Sequence, residues 1–566
     1  MSKSVAWELK SAIIPKTSED LKKILLENRN INQEHDEALF FETSVEKIMP
    51  EIKKLFDEDA VSEIIAIIKN AINNNVPIVI HGDYDVDGIS ATATLWETIY
   101  HDLHYKNVMP FIPHRAHHGY GVSQESLDDI LSQTKQKNAV VITVDCGITS
   151  REAIEYGKGH GLSFIVTDHH SIQEGKVPES VPKMHTYSLC GAGIAWALSV
   201  MLREEFNPQA SIFQGIDLVA LATLADIQPV VGLNRVLIKE GLRQLSQTKR
   251  EGFRQLYQIA GIEDKEIGTY EVGWVIAPRL NAMGRLENAM ESLRLVCTLD
   301  PDRARSIAQK MHETNEERQL LTQQSIEEAI TLIEKEKWQD DLFLVVNSEH
   351  WHEGILGLIA GKLAERYHVP VIALGKGESV YKGSARSISG FNVVDAIKAH
   401  ENLVEEAGGH EMAAGLSISE ENIAQFRLML REYAAVQFNH ERPPKIYIAE
   451  TELPSSLFTF ETADMIESMA PYGVGNPKPL FISHQLIVTN NKVIGAKSNH
   501  LKLQLQTNDG GSVEAIGFGL GGWSEKLKLG QSVSVLYSLE INEFRGNRTI
   551  QLNLKAIDSG TATGRE

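Results

Sequence analysis

The chain has 566 residues, 42% hydrophobic and 23% charged, the balance of a soluble protein with real cores and room for three or four domains. Its 76 Asp+Glu against 55 Lys+Arg give a formal net charge of −21, which argues against a basic coat that grips duplex nucleic acid indiscriminately but leaves room for a narrow basic groove. Three scattered cysteines (Cys146, Cys190, Cys297), no secretion signal in residues 1–10 and no uncharged apolar run of membrane-spanning length predict a cytoplasmic protein.

Residues 1–57 read as a polar, acidic, loosely packed N-terminal arm. From 58 to 300 the pattern is α/β. A helix-like pattern of Val61, Ile64, Ile65, Ile67, Ile68 and Ile72 runs into an apolar strand at 76–80, ended abruptly by His81-Gly82-Asp83. The unit recurs at 108–112 before Pro113-His114-Arg115, at 139–144 before Asp145, and at 163–166 before Asp168-His169-His170. Alternating strands and helices predict a parallel sheet covered on both faces. The polar residues after each strand then lie at its carboxyl end, where the ligand crevice of such a sheet opens. Asp85, Asp87, Asp145 and His169 are expected to converge there.

Residues 301–340 predict one long helix, a strut of about 50 Å between two lobes. A second small α/β lobe follows over 341–440. It has strands at 342–346 and 369–374, a helix at 355–367, and glycine turns at 383–387 and 408–410. Over 445–560 the pattern changes to short alternating strands (446–448, 501–505, 513–518, 533–537, 549–554), predicting a β-barrel of OB type. This stretch is near neutral, with 10 Lys+Arg against 11 Asp+Glu, and Lys492, Lys497, Lys502, Arg545 and Arg548 beside Phe544 suit the tracking of a single strand. A spacer or dimerisation barrel is the plain alternative.

The run His81-Gly82-Asp83-Tyr84-Asp85-Val86-Asp87-Gly88 sets three carboxylates and an imidazole at one strand end. Carboxylates packed so closely repel one another and call for a cation. Oxygen ligands suit Mg2+ or Mn2+, and imidazole favours Mn2+. A calcium EF-hand would need Glu six residues after Gly88, where Thr94 stands. A solvated acidic loop explains this run alone, and a helix cap or salt bridge explains Asp145 or Asp226 alone. Together with Asp168-His169-His170, the set favours a metal site.

The segments HGDYDVDG, VDCG, TDHH and LADI, in this order and spacing, resemble the DHH phosphoesterase superfamily. APRLNAMGR at 277–285, WHEG at 351–354, GSARS and GGH narrow the resemblance to the RecJ family of single-strand-specific exonucleases, from about residue 50 to the terminal barrel. The fold implied is a parallel-sheet DHH lobe (58–300) joined by the long helix (301–340) to a smaller DHHA1-like lobe (341–440), with an OB-type barrel (445–560). The activity implied is 5′-to-3′ removal of mononucleotides from single-stranded DNA, in recombination and repair, with two divalent cations, Mn2+ or Mg2+.

Carried over by position, the resemblance makes Asp85, Asp87, Asp145, His169 and Asp226 the metal ligands, with Asp145 bridging and His81 a sixth ligand. Asp83 becomes an auxiliary base and His170 the phosphate-facing histidine. Arg115, Ser384 and Arg386 form a 5′-phosphate pocket. Arg279 and Arg285 become backbone contacts and His410 a phosphate contact, with Tyr120 and Asn281 completing the nucleic-acid-binding set. Ala385 stands where the family has glycine, and 171–190 is short. The implied partners are single-stranded DNA, a single-stranded-DNA-binding protein and a helicase; no membrane is implied, and the protein is expected to be a monomer. Two competing readings are a DHH-type phosphodiesterase acting on short oligonucleotides or cyclic dinucleotides, and a scaffold without chemistry. The barrel and strut argue against the former, the intact ligand set against the latter.

Overall fold

The computed structural model describes residues 5–119, 121–135, 138–377, 379–496, 498–544 and 546–559. The first lobe is built on a parallel sheet of five strands in the order Val108–Phe111, Ile78–His81, Val140–Val144, Ser163–Asp168, Lys183–His185. Every residue of Ile78–His81 and Val140–Val144 is buried, as strands covered on both faces require. Ile78, Ile80, Ile142 and Val144 share one core with the helices Glu58–Asn73, Val86–Glu97 and Gly191–Phe206. Val79, Val141, Phe164 and Val166 share another with Gln124–Thr134 and Arg151–Gly159. Because Ile78–His81 has Val108–Phe111 on one side and Val140–Val144 on the other, the chain switches direction across the sheet here, and the crevice opens at these carboxyl ends.

The helices Ile216–Ala225, Glu251–Ala260, Ala277–Leu286 and Met290–Cys297 add a further core against Val86, Ile89 and Ala93. The long helix is Pro301–Lys335, 35 residues and about 50 Å. Asp300 caps it by accepting the N–H groups of Asp302 (2.9 Å) and Arg303 (3.2 Å). Ile307, Ala308 and Met311 near its start belong to the first lobe, and Ala329 and Ile333 near its end to the second. Its two ends are thus locked into different cores.

The second lobe holds a mixed sheet in the order Glu406–His410, Ala413–Ile418, Tyr381–Arg386, Val371–Lys376, Leu344–Ser348. Residues 383–386 and 408–410, expected within glycine turns, are strand instead, paired on either side of Ala413–Ile418. Ala385 is buried in extended backbone opposite Ile372 and Ala414, so a glycine is not required there.

In the C-terminal region Phe481–Ile494, His500–Gln506, Ser512–Gly517, Asn547–Asp558 and Ser532–Phe544 close into a five-stranded barrel, because Phe481–Ile494 pairs with both His500–Gln506 and Ser532–Phe544. Sequence reading misses Phe481–Ile494 because a register shift between Ser483 and Leu486 breaks its alternation. The predicted strand 446–448 lies outside the barrel: Lys445–Ala449 pairs in parallel with Val5–Leu9.

The N-terminal residues are not a loose arm. Ser18–Glu27 sends Leu21, Leu25 and Leu26 into the barrel core, joined by Phe40, while Val45–Lys53 sends Val45, Ile48, Met49 and Ile52 into the first lobe. Arg235, wholly buried, fastens these parts together. It donates to the carbonyls of Phe40 (2.8 Å), Met469 (2.8 Å), Ala470 (2.8 Å) and Pro471 (2.9 Å), and its guanidinium lies 3.8 Å from the Phe40 ring centre. Among the described residues no helix is long and apolar enough to cross a membrane.

Candidate metal centre and phosphate cleft

Asp85 starts the helix Val86–Glu97 by accepting the N–H groups of Asp87 (2.9 Å) and Gly88 (3.0 Å). Asp87 reaches the head of Gly191–Phe206, where its two oxygens accept the N–H groups of Gly191 (2.8 Å) and Ala192 (2.6 Å). Gly191 lies so close to the site that a Cβ there would stand 2.6 Å from Asp145 Oδ1. Asp145 ends Val140–Val144 with a left-handed φ of 60°, a strain of about 1 kcal/mol or more for a residue with a Cβ.

Asp168 organises the next turn. It accepts the backbone N–H groups of Ile148 (2.9 Å), His169 (2.7 Å) and His170 (3.0 Å), and holds His170 Nδ1 at 2.7 Å. The adjacent histidines therefore part. His170 is clamped to Asp168, while His169 Nε2 faces Asp145 Oδ1 (3.1 Å), Asp87 Oδ2 (3.6 Å) and Asp226 Oδ2 (3.8 Å). Asp226 follows Ile216–Ala225, and the Gln228 amide ties its Oδ2 (2.7 Å) to His169 Nδ1 (3.4 Å).

Three overlapping groups result: Asp83 with Asp85 and Asp145; Asp87 with His169 and Asp226; and Asp145 with His169 and His170. The donor atoms of each lie within 4.8 Å of one another. Asp145 and His169 each belong to two groups, so the donors form adjoining sets. Burial, then mutual repulsion, raises Asp83 and Asp145 well above the usual carboxylate range, raises Asp85, and pushes Asp87 up to about 7. Asp83 Oδ1 is buried without a hydrogen-bond partner, and Asp145 Oδ1 is buried facing the His169 imidazole nitrogen at 3.1 Å. Orphaned oxygens among crowded carboxylates are costly unless a cation meets them. Oxygen donors with imidazole fit Mg2+ or Mn2+. Burial disfavours the charged form of His170, but Asp168, Asp226 and Asp83 outweigh it and raise the imidazole to about 9.

His81 does not join this set. Strand alternation turns it to the opposite face, with Nε2 3.2 Å from Ser126 Oγ, Nδ1 3.7 Å from Cys146 Sγ and its ring against Phe111. Burial lowers it to about 4, so it is a neutral core histidine.

A cationic group lies beside this centre. Arg285 is drawn down to about 10 by burial and by the guanidiniums of Arg115, Arg318 and Arg386 around it. It donates to Gly354 O of the second lobe at 3.0 Å. Arg386 donates to Ser384 Oγ (3.1 Å) and Ala385 O (2.8 Å), and Arg115 lies 5.4 Å from the Tyr84 ring centre. Sequence reasoning does not single out Arg318, one of many charged residues on the long helix, although its Nε is buried without a partner. It also passes over Asp168 as a site residue in its own right, which orients the two histidines that follow it, and Gln228, which reaches His169 59 residues away.

The remaining expected contacts divide. Asn281 Oδ1 accepts the Val86 N–H at 3.2 Å, so its amide oxygen buttresses a helix start. Arg279 donates to Val275 O (2.8 Å) and directs Nε and Nη2 to His312 Nδ1 at 3.3 and 3.2 Å. His410, exposed on the edge strand, lines with Gly409 a cavity of about 980 Å³ that Asp168 and His170 also line. Tyr120 lies outside the described residues. On the barrel, Lys502 pairs with Glu514 and Arg548 with Asp464, each at 3.0 Å, while Lys497 and Arg545 lie outside the described residues.

Three family models match the chain: the DHH family N-terminal domain over residues 77–223, the DHHA1 domain over 340–435 and the RecJ OB domain over 449–556. Among curated relatives, the single-stranded-DNA-specific exonuclease RecJ of Haemophilus influenzae is 32% identical over 513 residues, covering 85% of this chain and 87% of that protein. Its Bacillus subtilis namesake is 31% identical over 502 residues, 86% of this chain, but the match spans only 62% of that relative's length. Thermus thermophilus RecJ in complex with Mn2+ matches in structure with a TM-score of 0.82 and 26% identity, over 99% of this chain and 80% of that one. Its Mg2+ complex gives 0.73 and 25%, over 98% and 78%.

Proposed function

Because this chain belongs to the RecJ family, we propose that it is a metal-dependent exonuclease that degrades single-stranded DNA from the 5′ end to mononucleotides, in recombination and repair. One observation carries the reading: adjoining carboxylate and histidine donor sets stand at a sheet crevice beside a cluster of guanidiniums. Asp85, Asp87, Asp145, His169 and Asp226 would hold two divalent ions, with Asp145 shared and Asp83 at their edge. Such ions supply Lewis-acid charge and a water of lowered pKa.

The chain's own groups do the positioning. Asp168 keeps His170 oriented and protonated, a cation for a phosphate oxygen of the strand. Gln228 orients His169 and Asp226. Arg115, Arg285, Arg318 and Arg386, with Ser384, present forked donors to a terminal phosphate, which gives the enzyme its polarity. Arg279 and His410 extend the contact along the backbone. The cleft between the lobes admits one strand, and the barrel holds its downstream nucleotides.

The same reading makes the protein a cytoplasmic monomer that works with a single-stranded-DNA-binding protein and a helicase; the absence of a membrane-crossing helix among the described residues is compatible with it. The decisive experiment digests a strand labelled separately at each end, with Mn2+ or chelator, using wild type and Asp145→Ala. Mn2+-dependent release from the 5′ label alone, lost in the variant with strand binding kept, supports the reading. Release from the 3′ label first, or full activity in the variant, refutes it.

A further inference from the structure

Trp351-His352-Glu353-Gly354 forms a short turn after the strand Leu344–Ser348, between the long helix and the second-lobe sheet. One side of it is anchored. The Glu328 carboxylate, on the long helix, accepts the Trp351 indole N–H at 2.8 Å and the Ser348 hydroxyl at 2.9 Å. The indole shares a core with Ala329, Ile333 and Ile359. A Cβ on Gly375 of the neighbouring strand would stand 2.4 Å from Trp351 O, so the turn is pressed against the sheet. His352 Nδ1 accepts the Gly354 N–H at 3.0 Å and closes the corner. The other side meets the cationic cluster. Arg285 Nη1 donates to Gly354 O at 3.0 Å, and a Cβ on Gly354 would stand 2.3 Å from Arg285 O, so backbones from the two lobes touch here with no side chain between them. Further along, the bare face of Gly357 makes room for the second-lobe groups: a Cβ there would stand 2.8 Å from Arg386 Nη2 and 3.1 Å from Ser384 Oγ. Segment 354–357 therefore touches Arg285 at one end and Arg386 at the other. Arg318 and Glu328 stand about 15 Å apart along one helix, so the cluster and the anchor of the turn share one ruler.

We propose that Glu328, acting through the turn Trp351–Gly354, is a positioning residue for the terminal-phosphate site, fixing the spacing of Arg285 against Arg386 and Ser384. The inference rests on the nuclease reading, in which these groups hold the 5′ phosphate, and adds what aligns them. Arg285 sits among the like charges of Arg115, Arg318 and Arg386, which push against it. The Gly354 carbonyl is the neutral acceptor that holds it there, and that carbonyl is only as well placed as the turn that carries it. Forked recognition of a phosphate depends on the angle between its donors, so a shift of about 1 Å in one of them is costly. Glu328 is itself exposed to solvent, so its removal deletes a tether and leaves the core of the second lobe intact.

The test compares the full chain with Glu328→Ala, Glu328→Gln and Gly354→Ala, in Mn2+, on single strands bearing a 5′ phosphate or a 5′ hydroxyl, with Tm measured alongside. Glu328→Ala is expected to lower the ratio of kcat/KM values, phosphate over hydroxyl, about threefold, the scale of one hydrogen bond. The loss lies in KM for the phosphorylated strand, while its kcat and the rate on hydroxyl ends are kept. Glu328→Gln, whose amide oxygen still accepts from Trp351 and whose NH2 still reaches Ser348 Oγ, restores the ratio. Gly354→Ala forces the two backbones apart and lowers the ratio about tenfold; if it does not fold, Glu328→Ala decides alone. In an Arg386→Ala background, where one half of the site is gone, Glu328→Ala adds little. An unchanged ratio in Glu328→Ala, a parallel loss on both kinds of end, or full additivity with Arg386→Ala overturns the positioning role and leaves Glu328 an ordinary surface carboxylate. A wild type with no preference for phosphorylated ends overturns instead the reading of the cluster as a terminal-phosphate site.

Discussion

Gly191→Ala puts the geometry of the donor set under direct strain. The added methyl would sit 2.6 Å from Asp145 Oδ1 and 2.7 Å from its Cγ, about 1 Å short of ordinary contact. Neither neighbour yields freely. Asp145 is fixed by its left-handed backbone at the end of a buried strand, and the head of Gly191–Phe206 is held by two N–H bonds to Asp87. Relief therefore displaces either Asp145 or Asp87, and a misplacement of about 1 Å in a reacting constellation costs on the order of a hundredfold in rate. Overpacking costs about 1–3 kcal/mol, partly offset by alanine's better helix propensity of about 1 kcal/mol, so the fold should survive. Calorimetric titration with Mn2+ and release of a 5′-labelled nucleotide are the assays, with circular dichroism as the control. A folded variant with activity within about threefold of wild type refutes the claim that Gly191 exists to clear Asp145.

Arg386→Ala should lower the preference for 5′-phosphorylated over 5′-hydroxyl strands about tenfold, read from the ratio of kcat/KM values, since one forked charge-assisted contact is removed; an unchanged ratio dismisses its anchoring role. In the metal-free protein, folded carboxylates raised above their unfolded values, Asp87 to about 7, bind extra protons between about pH 4 and 7, and that contribution to stability disappears as pH rises through this window, while buried His81, lowered to about 4, opposes it. The check is therefore a comparison with Asp87→Asn: without metal, Tm should fall more, or rise less, from pH 5 to 7.5 in the wild type than in the variant, and identical profiles would contradict the crowding of charge. Arg235→Ala should destabilise by roughly 3–5 kcal/mol, because four buried carbonyls lose a charged donor at once, and a loss under about 1 kcal/mol in urea unfolding would show that the tie is incidental.

The crevice is legible in the sequence because buried parallel strands read as unbroken apolar runs, so an acid placed immediately after one, such as Asp145, announces a strand end. Chemistry at a strand end does not reveal which way a side chain points, which is why His81 reads as a ligand though alternation turns it towards Ser126 and Cys146. Glycines mislead in the second lobe: Gly408 and Gly409 suggest a turn, but they lie in an exposed edge strand. The helix Ser18–Glu27 carries a readable spacing in Leu21 and Leu25, yet its polar setting hides it, since the barrel surface it covers lies more than 400 residues away. Arg318 and Gln228 likewise acquire roles through neighbours far along the chain, Arg285 and His169.

The packing of the first sixty residues bears on how far this protein is modular. The first of the three matched family models begins at residue 77, and they follow one another as if each could be inherited or excised alone. The segment upstream of them is divided between the first lobe and the barrel, and Arg235 reaches across to both Phe40 and the 469–471 segment. Cutting the chain at residue 449, where the third matched domain begins, would strip Leu21, Leu25 and Phe40 of their cover and leave a buried guanidinium without three of its four acceptors. A recombined or truncated descendant must therefore redesign its N-terminus together with its C-terminus, and the two ends should change in concert.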